Sequence, residues 1–344
     1  MVRAMRFGQK PPDHPSVTPD KIGVLLLNLG TPDSPDYWPM RRYLSEFLSD
    51  RRVIETNPLL WQLILQGIIL NVRPQKSGAN YRKIWDNEAG DSPLRVITRR
   101  QVAKLQAALG DKVIVDFGMR YGNPSTEAAL KALMAKGCYR ILVCPLYPQY
   151  SATTTATANE AVFNALRRMR WQPAIRTLPP YYDDPAYIEA LKTSIEQALG
   201  ALSFSPDAII ASFHGMPRRT LERGDPYHCH CQKTARLLSK ALDRELIVSF
   251  QSRFGRAKWL EPATDTTLAS LPGKGVKRIA IVAPGFSADC LETLEELAIR
   301  GRETFLAAGG SDFAYLPCLN ADASGMEMLH HLLQRELAGW IGPS

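Results

Sequence analysis

The chain has 344 residues, a formal net charge of +8 and a sequence pI near 9.2, with 45% hydrophobic and 22% charged residues. This length accommodates two domains, each with its own core, and the composition is typical of a soluble globular protein. The positive charge favours an anionic partner. Lys and Arg are scattered, however, and the absence of helix-turn-helix, zinc-finger and RNA-binding signatures argues against nucleic acid as that partner.

Both the start of the chain and its most apolar stretch argue against export or membrane insertion. Residues 1–20 are polar and rich in proline, which predicts a disordered lead and not a secretory signal. The apolar stretch 59–70 has 12 residues, two of them glutamines, and is too short to span a bilayer. Six cysteines without a repeating framework indicate a reducing compartment, so we expect a cytoplasmic protein.

The predicted elements alternate between strands and helices along the chain. Apolar runs predict eight buried strands, at 22–28, 113–117, 140–146, 174–178, 208–213, 246–250, 278–283 and 313–316. Helices are predicted between them, among others at 37–49, 94–109 and 155–168. This alternation predicts an α/β fold whose parallel sheets carry helices on both faces.

The second half of the chain repeats the first. Strand 208–213 leads into Gly215-x-Pro217, as strand 22–28 leads into Gly30-x-Pro32, and the next two strands of each half also end in matching turns. We therefore predict an N-terminal domain at 21–170, a C-terminal domain at 171–330 and a helix end at 331–344. Two such units facing each other leave a cleft lined by strand ends. Neither half carries a G-x-G-x-x-G or Walker loop, so the sequence gives no support for nucleotide binding.

His214 stands where the strand at 208–213 ends, and open α/β sheets place ligands at that end. Gly215 and Pro217 stop the strand and fix the backbone just past the imidazole. The matching position of the first half is Leu29, so the predicted cleft is apolar in one half and basic in the other. The alternative interpretation is that His214 is a structural histidine whose ring is hydrogen-bonded at the strand end.

Taken together, the motifs resemble those of ferrochelatases, which insert Fe²⁺ into a porphyrin. The histidine signature is matched by Ser212, His214, Gly215 and Pro217. Four further segments match in the same order between residues 21 and 340: 118–121, 147–151, 251–262 and 286–297. The resemblance implies two Rossmann-like, chelatase-type domains with parallel four-stranded sheets and the porphyrin between them.

The resemblance also implies site residues. His214 and Glu292 would be catalytic, and His214, Glu292, Glu296 and Asp289 would meet the metal. Porphyrin contacts are expected from Leu29, Tyr81, Arg120, Tyr121, Tyr150, Ser151, Thr153, Trp259 and Phe286. Among these, Arg120 is expected to pair with a propionate. Structural or core packing is the alternative for the aromatic residues Tyr81, Trp259 and Phe286.

The segment at 286–297 predicts a helix that starts at the cleft. On a helical wheel, Asp289, Glu292 and Glu296 fall together, opposite a face of leucines. Such a face is usually solvated, but at a cleft its oxygens could hold Fe²⁺ weakly or pass protons outward. Cys290 and Arg300 depart from many relatives, which have histidine and a carboxylate there. Cys290 falls with the leucines, so we expect a packed thiol.

No tightly bound cofactor is expected. Some ferrochelatases hold a [2Fe–2S] cluster on four cysteines, but here Ala152 stands at one ligand position and no cysteine follows Cys318. The run 228–231 (HCHC) suggests a metal site by composition. Consecutive side chains of this run point to different faces of the chain, however, so they cannot converge on one metal ion, and no metal is expected there.

The segment 57–76 has two interpretations. It is either a buried helix or an apolar lip at the cleft that rests on a membrane surface, supported by Trp61 and by basic Arg73 and Lys76. The overall expectation is insertion of Fe²⁺ into protoporphyrin IX, the last step of haem biosynthesis. Coproporphyrin is the nearest alternative substrate, although the position of Leu29 is commonly tyrosine in that branch. A cobalt chelatase and a non-catalytic porphyrin carrier stay open as further alternatives.

Overall fold

The computed structural model describes residues 21–255 and 257–341, and the predicted lead at 1–20 lies outside them. All eight predicted strands are present and form two parallel sheets of four. The first sheet, in the order β2-β1-β3-β4, contains β1 (Lys21–Thr31), β2 (Val113–Gly122), β3 (Cys138–Pro145) and β4 (Ala174–Thr177). The second, in the order β6-β5-β7-β8, contains β5 (Ala208–His214), β6 (Leu246–Gln251), β7 (Arg278–Val282) and β8 (Asp312–Tyr315). Because the two orders correspond strand for strand, the predicted duplication and fold class are confirmed.

Helices connect the strands and cover both faces of each sheet. In the first half they are α1 (Tyr37–Leu48), α2 (Pro58–Ile64), α3 (Leu70–Ile84), α4 (Pro93–Leu109), α5 (Thr126–Ala135) and α6 (Thr157–Arg167). From there on they are α7 (Pro185–Gly200), α8 (Arg218–Glu222), α9 (Tyr227–Leu242), α10 (Thr264–Ser270), α11 (Arg302–Ala307) and α12 (Ala323–Leu337). None of the helices between residues 21 and 341, leaving out residue 256, is long and apolar enough to cross a membrane.

Three π-helical segments interrupt this pattern: Leu65–Ile69, Ala152–Ala156 and Glu292–Gly301. The last two occupy equivalent places, since one follows β3 and the other follows β7. A π-helix bonds each N–H to the carbonyl five residues back, so its side chains fall at angles that an α-helical wheel does not give. The wheel drawn for 289–298 is therefore wrong in detail. Glu295, which it left out, has its side chain only 1% exposed.

The first sheet is longer at its carboxyl end than the sequence predicts. Instead of ending at Asn28 and Phe117, β1 and β2 stay paired through Thr31 and Gly122. Gly30 makes this possible: it has φ +114°, and a Cβ there would overlap the main-chain oxygen of Tyr121. The residues 118–122 are consequently part of a strand, not the turn that follows it.

One large hydrophobic cluster joins the two halves, and each sheet has a further cluster of its own. Val24 of β1 and Ala211 of β5 belong to the same cluster of buried side chains, which α7, α9 and α12 complete. The C-terminal helix α12 packs on α7 and also on α4 of the first half. It begins at Ala323, so the predicted boundary at residue 331 falls inside a helix.

Candidate active site

The cleft lies where the carboxyl ends of the two sheets face each other. It has a volume of about 420 Å³, within the range of small-molecule sites. Apolar side chains from both halves form much of its wall, among them Leu29, Leu94, Leu146, Met216, Trp259 and Phe286. The cleft therefore suits a largely apolar ligand with a few charged groups.

His214 is the last residue of β5, is half-buried and lines the cleft. Its Nδ1 lies 2.7 Å from the main-chain oxygen of Gly215. A carbonyl oxygen can only accept, so Nδ1 donates, and the neutral ring keeps its lone pair on Nε2. Gly215 is tightly placed as well, because a Cβ there would overlap the main-chain oxygen of Gln251. The backbone thus fixes both the orientation and the tautomer of a potential proton acceptor.

Three carboxylates of the π-helix at 292–301 line the cleft: Glu292, Glu295 and Glu296. Glu295 accepts from Lys83 at 2.9 Å and from Arg300 at 2.8 Å. Glu296 is bonded by Ser252, whose N–H and Oγ lie 2.7 Å and 2.6 Å from its two oxygens. Two of the three carboxylates are therefore held by strong partners.

The third carboxylate, Glu292, lies among buried polar side chains. Burial, followed by the nearby Glu292 charge, raises the pKa of Tyr81. The same two causes, in the same order, raise the pKa of the Cys290 thiol. Tyr81 and Cys290 are thus neutral at physiological pH.

The sequence model of the ferrochelatase family matches residues 21–337. A ferrochelatase of Agrobacterium fabrum is 55% identical over 343 residues, which is 98% of this chain and 100% of the relative. The chain belongs to the ferrochelatase family. A ferrochelatase of Mesorhizobium japonicum is 56% identical over 93% of this chain and 92% of the relative.

Solved structures agree with this membership at the level of the fold. SirB from Bacillus subtilis, determined with Fe³⁺, has a TM-score of 0.54 at 13% identity and covers 92% of this chain and 96% of its own. A multi-domain protein of Deinococcus radiodurans with structural similarity to chelatases has a TM-score of 0.52 at 10% identity, covering 94% of this chain and 56% of its own. At these identities the likeness shows the chelatase fold alone.

Most residues that the family resemblance pointed to lie on the cleft wall. Leu29, Tyr81, Ser151, Thr153, His214, Trp259, Phe286, Glu292 and Glu296 all line it. The Phe286 ring centre lies 6.5 Å from that of His214, and the Trp259 indole donates to the main-chain oxygen of Phe254 at 3.0 Å. The first contact places the Phe286 ring beside the candidate base. Their contact with a porphyrin stays a prediction.

Arg120 and Tyr121 are an exception and correct the prediction, since neither lies among the cleft-lining residues. They stand inside β2, and both side chains bond Asp50: Arg120 by an ion pair and the Tyr121 hydroxyl at 2.8 Å. Burial raises the pKa of Asp50, but hydrogen bonds from Thr157 and others outweigh it and lower that pKa overall. Arg120 therefore neutralises a buried carboxylate instead of facing the cleft.

Tyr150 is likewise absent from the cleft wall. Its main-chain N–H donates to Nδ1 of His230 at 3.2 Å, which joins this loop to α9. Ser151, the next residue, does line the cleft, and its hydroxyl donates to Asp225 at 3.0 Å. Adjacent residues of an extended segment face opposite ways, which explains why one tyrosine of the matched motif is turned away.

Asp289 is not brought together with Glu292 and Glu296. It is 5% exposed, and its carboxylate accepts from Thr293 at 2.9 Å, Tyr315 at 2.5 Å and Asn320 at 2.7 Å. With three donors it anchors the start of the π-helix, and it does not line the cleft. Within residues 21–255 and 257–341, no three His, Cys, Asp or Glu side chains are grouped closely enough to hold a metal ion.

Sequence reasoning missed several cations at the cleft. Arg73, which it assigned to the membrane surface, lines the cleft with its guanidinium 5.3 Å from the Phe254 ring centre. Burial lowers the pKa of Arg73. Arg219 and Arg253 also line the cleft. For Arg219 a signal existed, since it follows the histidine segment by two residues. Arg73 lies 141 residues before His214, so the sequence gave no signal that it reaches the cleft.

The run 228–231 lies at the start of α9. Cys229 is exposed whereas Cys231 is fully buried, so the two thiols point apart as the spacing predicts. His230 is already used, since its ring stacks on Tyr182 with centres 3.6 Å apart. The position of these side chains favours packing over ligation.

Residues 57–76, the predicted lip, fit the two interpretations in part: some of their apolar side chains are exposed and others are buried. Leu59 is 81% exposed and Leu63 is 75% exposed, whereas Leu65 and Leu70 are fully buried. Trp61 is half-buried, and its indole donates to the main-chain oxygen of Leu48 at 2.7 Å. The outer face of α2 is thus a free apolar surface, while the inner face belongs to the core. Trp61 and Leu65 are not the exposed residues that a lip requires.

Proposed function

We propose that this ferrochelatase inserts Fe²⁺ into protoporphyrin IX in the cytoplasm, giving haem and two protons. The observation that carries the proposal is His214, which is held at Nδ1 by Gly215 and lines a cleft with three carboxylates of a neighbouring helix. A porphyrin nitrogen that receives a metal must lose its proton. A neutral imidazole held at the cleft is suited to accept that proton near pH 7.

The carboxylates complete this chemistry. A proton taken by His214 has to leave the site before the next turnover, and Glu292 is the cleft carboxylate next to neutral Tyr81 and Cys290. Its oxygens could accept the proton or stage Fe²⁺, which prefers oxygen and imidazole ligands in open sites. Glu296, bonded by Ser252, would serve this relay at its outer end.

The cleft wall supports a dicarboxylic substrate. Leu29 and the aromatic rings of Trp259 and Phe286 offer an apolar surface for the macrocycle. Arg73 and Arg219 stand at the same cleft and could each pair with a propionate. We assign this task to them because Arg120 is held by the buried carboxylate of Asp50, whereas the ion pair of Arg219 with Glu55, at 3.6 Å, is partly exposed and therefore weak.

An anaerobic assay of Fe²⁺ insertion tests the proposal, with protoporphyrin IX and coproporphyrin compared at equal concentration. We expect haem formation with a higher kcat/KM for protoporphyrin IX. A preference for coproporphyrin would reassign the substrate, and the absence of insertion into either would refute the function.

We propose in addition that the outer face of α2 rests on a membrane surface. Leu59, Leu60 and Leu63 of α2 are each more than half exposed, as are Ile68 and Val72 of the segments that follow it, and Lys76 further along the chain is exposed too. An apolar face flanked by basic residues suits the boundary of an anionic bilayer. The lip would then bring the cleft close to a lipid phase that dissolves an apolar porphyrin.

A further inference from the structure

Gln251 is a buried polar residue to which the family resemblance gave no role. It is 2% exposed, ends β6 and is paired with His214 in the parallel ladder. Its main-chain oxygen accepts the N–H of Gly215 at 2.7 Å. Since Gly215 in turn holds the His214 ring, the backbone of Gln251 supports the orientation of the imidazole.

The side chain of Gln251 makes a second link. Its Oε1 accepts from the Ser212 hydroxyl at 2.8 Å, and its Nε2 donates to the main-chain oxygen of Glu292 at 2.7 Å. Ser212 lies two residues before His214 on β5, and Glu292 opens the π-helix. One amide therefore joins the strand of the candidate base to the helix of the candidate carboxylate. An amide suits this position because it accepts at one atom and donates at the other.

We propose that Gln251 is a positioning residue for metal insertion, which sets the placement of Glu292 relative to His214. This inference rests on the proposed function. Misplacing reacting groups by about 1 Å can lower a rate by roughly 100-fold without affecting binding to the same extent. The role predicted for Gln251 is therefore visible in kcat and not in porphyrin affinity.

The test is Gln251→Met, which keeps the length of the side chain and removes both hydrogen bonds. We expect kcat for Fe²⁺ insertion to fall by at least about 10-fold, with the Kd for protoporphyrin IX, from fluorescence quenching, changed less than about 3-fold. The matched control is Gln106→Met. Gln106 makes three comparable bonds, to the main chains of Gly110, Val113 and Val115, at the other end of the first sheet. It should lose a similar amount of thermal stability and keep its kcat.

A second measurement separates positioning from mere structural support. If Gln251 acts through Glu292, then Gln251→Met should lower kcat by less than about 3-fold in a Glu292→Gln background, because residues that act as a unit are not additive. If kcat of the double variant falls by the product of the two single losses, the proposal is overturned. Wild-type kcat in the Gln251→Met variant alone would also overturn it. Should Gln251→Met not fold, Ser212→Ala removes the strand-side bond, together with the bond between Ser212 and Thr264, and is subject to the same comparison. A wild-type protein that inserts no metal would instead refute the proposed function.

Discussion

The two halves of the molecule are built alike but equip the cleft differently. In each half a central strand reaches the cleft, with Leu29 two residues before the end of β1 and His214 ending β5. In each half a π-helical segment follows the third strand. The first, Ala152–Ala156, contains only alanine and threonine, while the second, Glu292–Gly301, contains three glutamates.

This difference shows that the duplication supplied a common scaffold on which the two halves carry different functional groups. Both halves contribute apolar residues to the cleft wall, while the lip belongs to the N-terminal half and the base and the three glutamates belong to the C-terminal half. π-Helical turns are frequent at functional sites. Here their presence in both halves shows that the geometry by itself is not enough, because only one of them presents titratable groups to the cleft.

The largest expected effect comes from removing the base. His214→Ala should lower the rate of Fe²⁺ insertion by about 10²–10⁴-fold, the usual contribution of a general base, while porphyrin binding survives. Initial rates and a fluorescence titration on the same preparation measure both. His331→Ala, at an exposed position of α12, is the control. Retention of more than about a tenth of the rate would remove His214 from the reaction and favour a porphyrin carrier.

A transfer of the histidine tests the comparison itself. In the His214→Ala background, Leu29→His restores an imidazole at the matching strand end of the other half. We expect no recovery of insertion, because the π-helix of that half offers threonines in place of carboxylates. Recovery to within about 10-fold of wild type would show that the halves are chemically interchangeable and that the carboxylates are dispensable.

Changes on the acidic helix should have the next largest effect. Glu292→Gln should lower kcat by about 100-fold, the lower end for a group in proton transfer, and Glu296→Gln by less than about 10-fold because Ser252 already engages it. Glu303→Gln, at an exposed position of α11, should behave like wild type. Wild-type kcat in both cleft variants at saturating Fe²⁺ would reduce Glu292 and Glu296 to a structural role.

The lip gives an effect on binding, not on chemistry. Leu59→Glu with Leu63→Glu should weaken binding to anionic liposomes by at least about 10-fold, since each apolar side chain withdrawn from a lipid boundary forfeits roughly 1.5–3 kcal/mol. The affinity of the wild type should also fall as salt rises. The melting temperature should hardly change, because both leucines are exposed.

Leu65→Glu is the matched variant from the buried side of the lip. Because Leu65 is fully buried, an unpaired charge there should lower the melting temperature sharply. Liposome sedimentation and thermal melting of all three proteins separate the two faces. Liposome binding that is unaffected by the double change would leave the exposed leucines without a lipid partner.

The smallest effect is expected from the exposed thiol. Cys229→Ser should leave insertion unchanged, and the purified protein should show no visible absorption from an iron–sulfur cluster. Anaerobic purification with iron and sulfide analysis is the measurement. Stoichiometric sulfide, lost in the Cys229 variant, would contradict the expectation.

The fold was predictable from the sequence because it depends on local pattern. Eight apolar runs with matched turns indicated both sheets, and the internal repeat indicated that the two sheets would be alike. His214 was predictable for the same reason, since a glycine and a proline mark the end of its strand. Glu292 and Glu296 followed from the family motif and from their place after a strand.

The errors have a common physical origin in backbone geometry that side-chain patterns do not report. Arg120 was misplaced because β2 continues past Gly118, a glycine that resembles a turn residue but lies within the strand. Glu295 and Asp289 were misplaced because a π-helix rotates its side chains away from α-helical angles. Arg73 depends on contacts across the cleft, which no local spacing encodes.

The shared core has a kinetic consequence. Since buried side chains of β1 and β5 pack in one cluster, closed over by α12, the halves cannot swing apart about a hinge without exposing that core. Haem must therefore leave by local rearrangement of the cleft rim. We expect product release to depend on two short helices without buried residues of their own: α8, which lines the cleft with Arg219 and Thr220, and α2, whose Trp61 bonds the main chain of cleft-lining Leu48. Their mobility, more than any movement of whole domains, would then limit how fast the enzyme can begin another cycle.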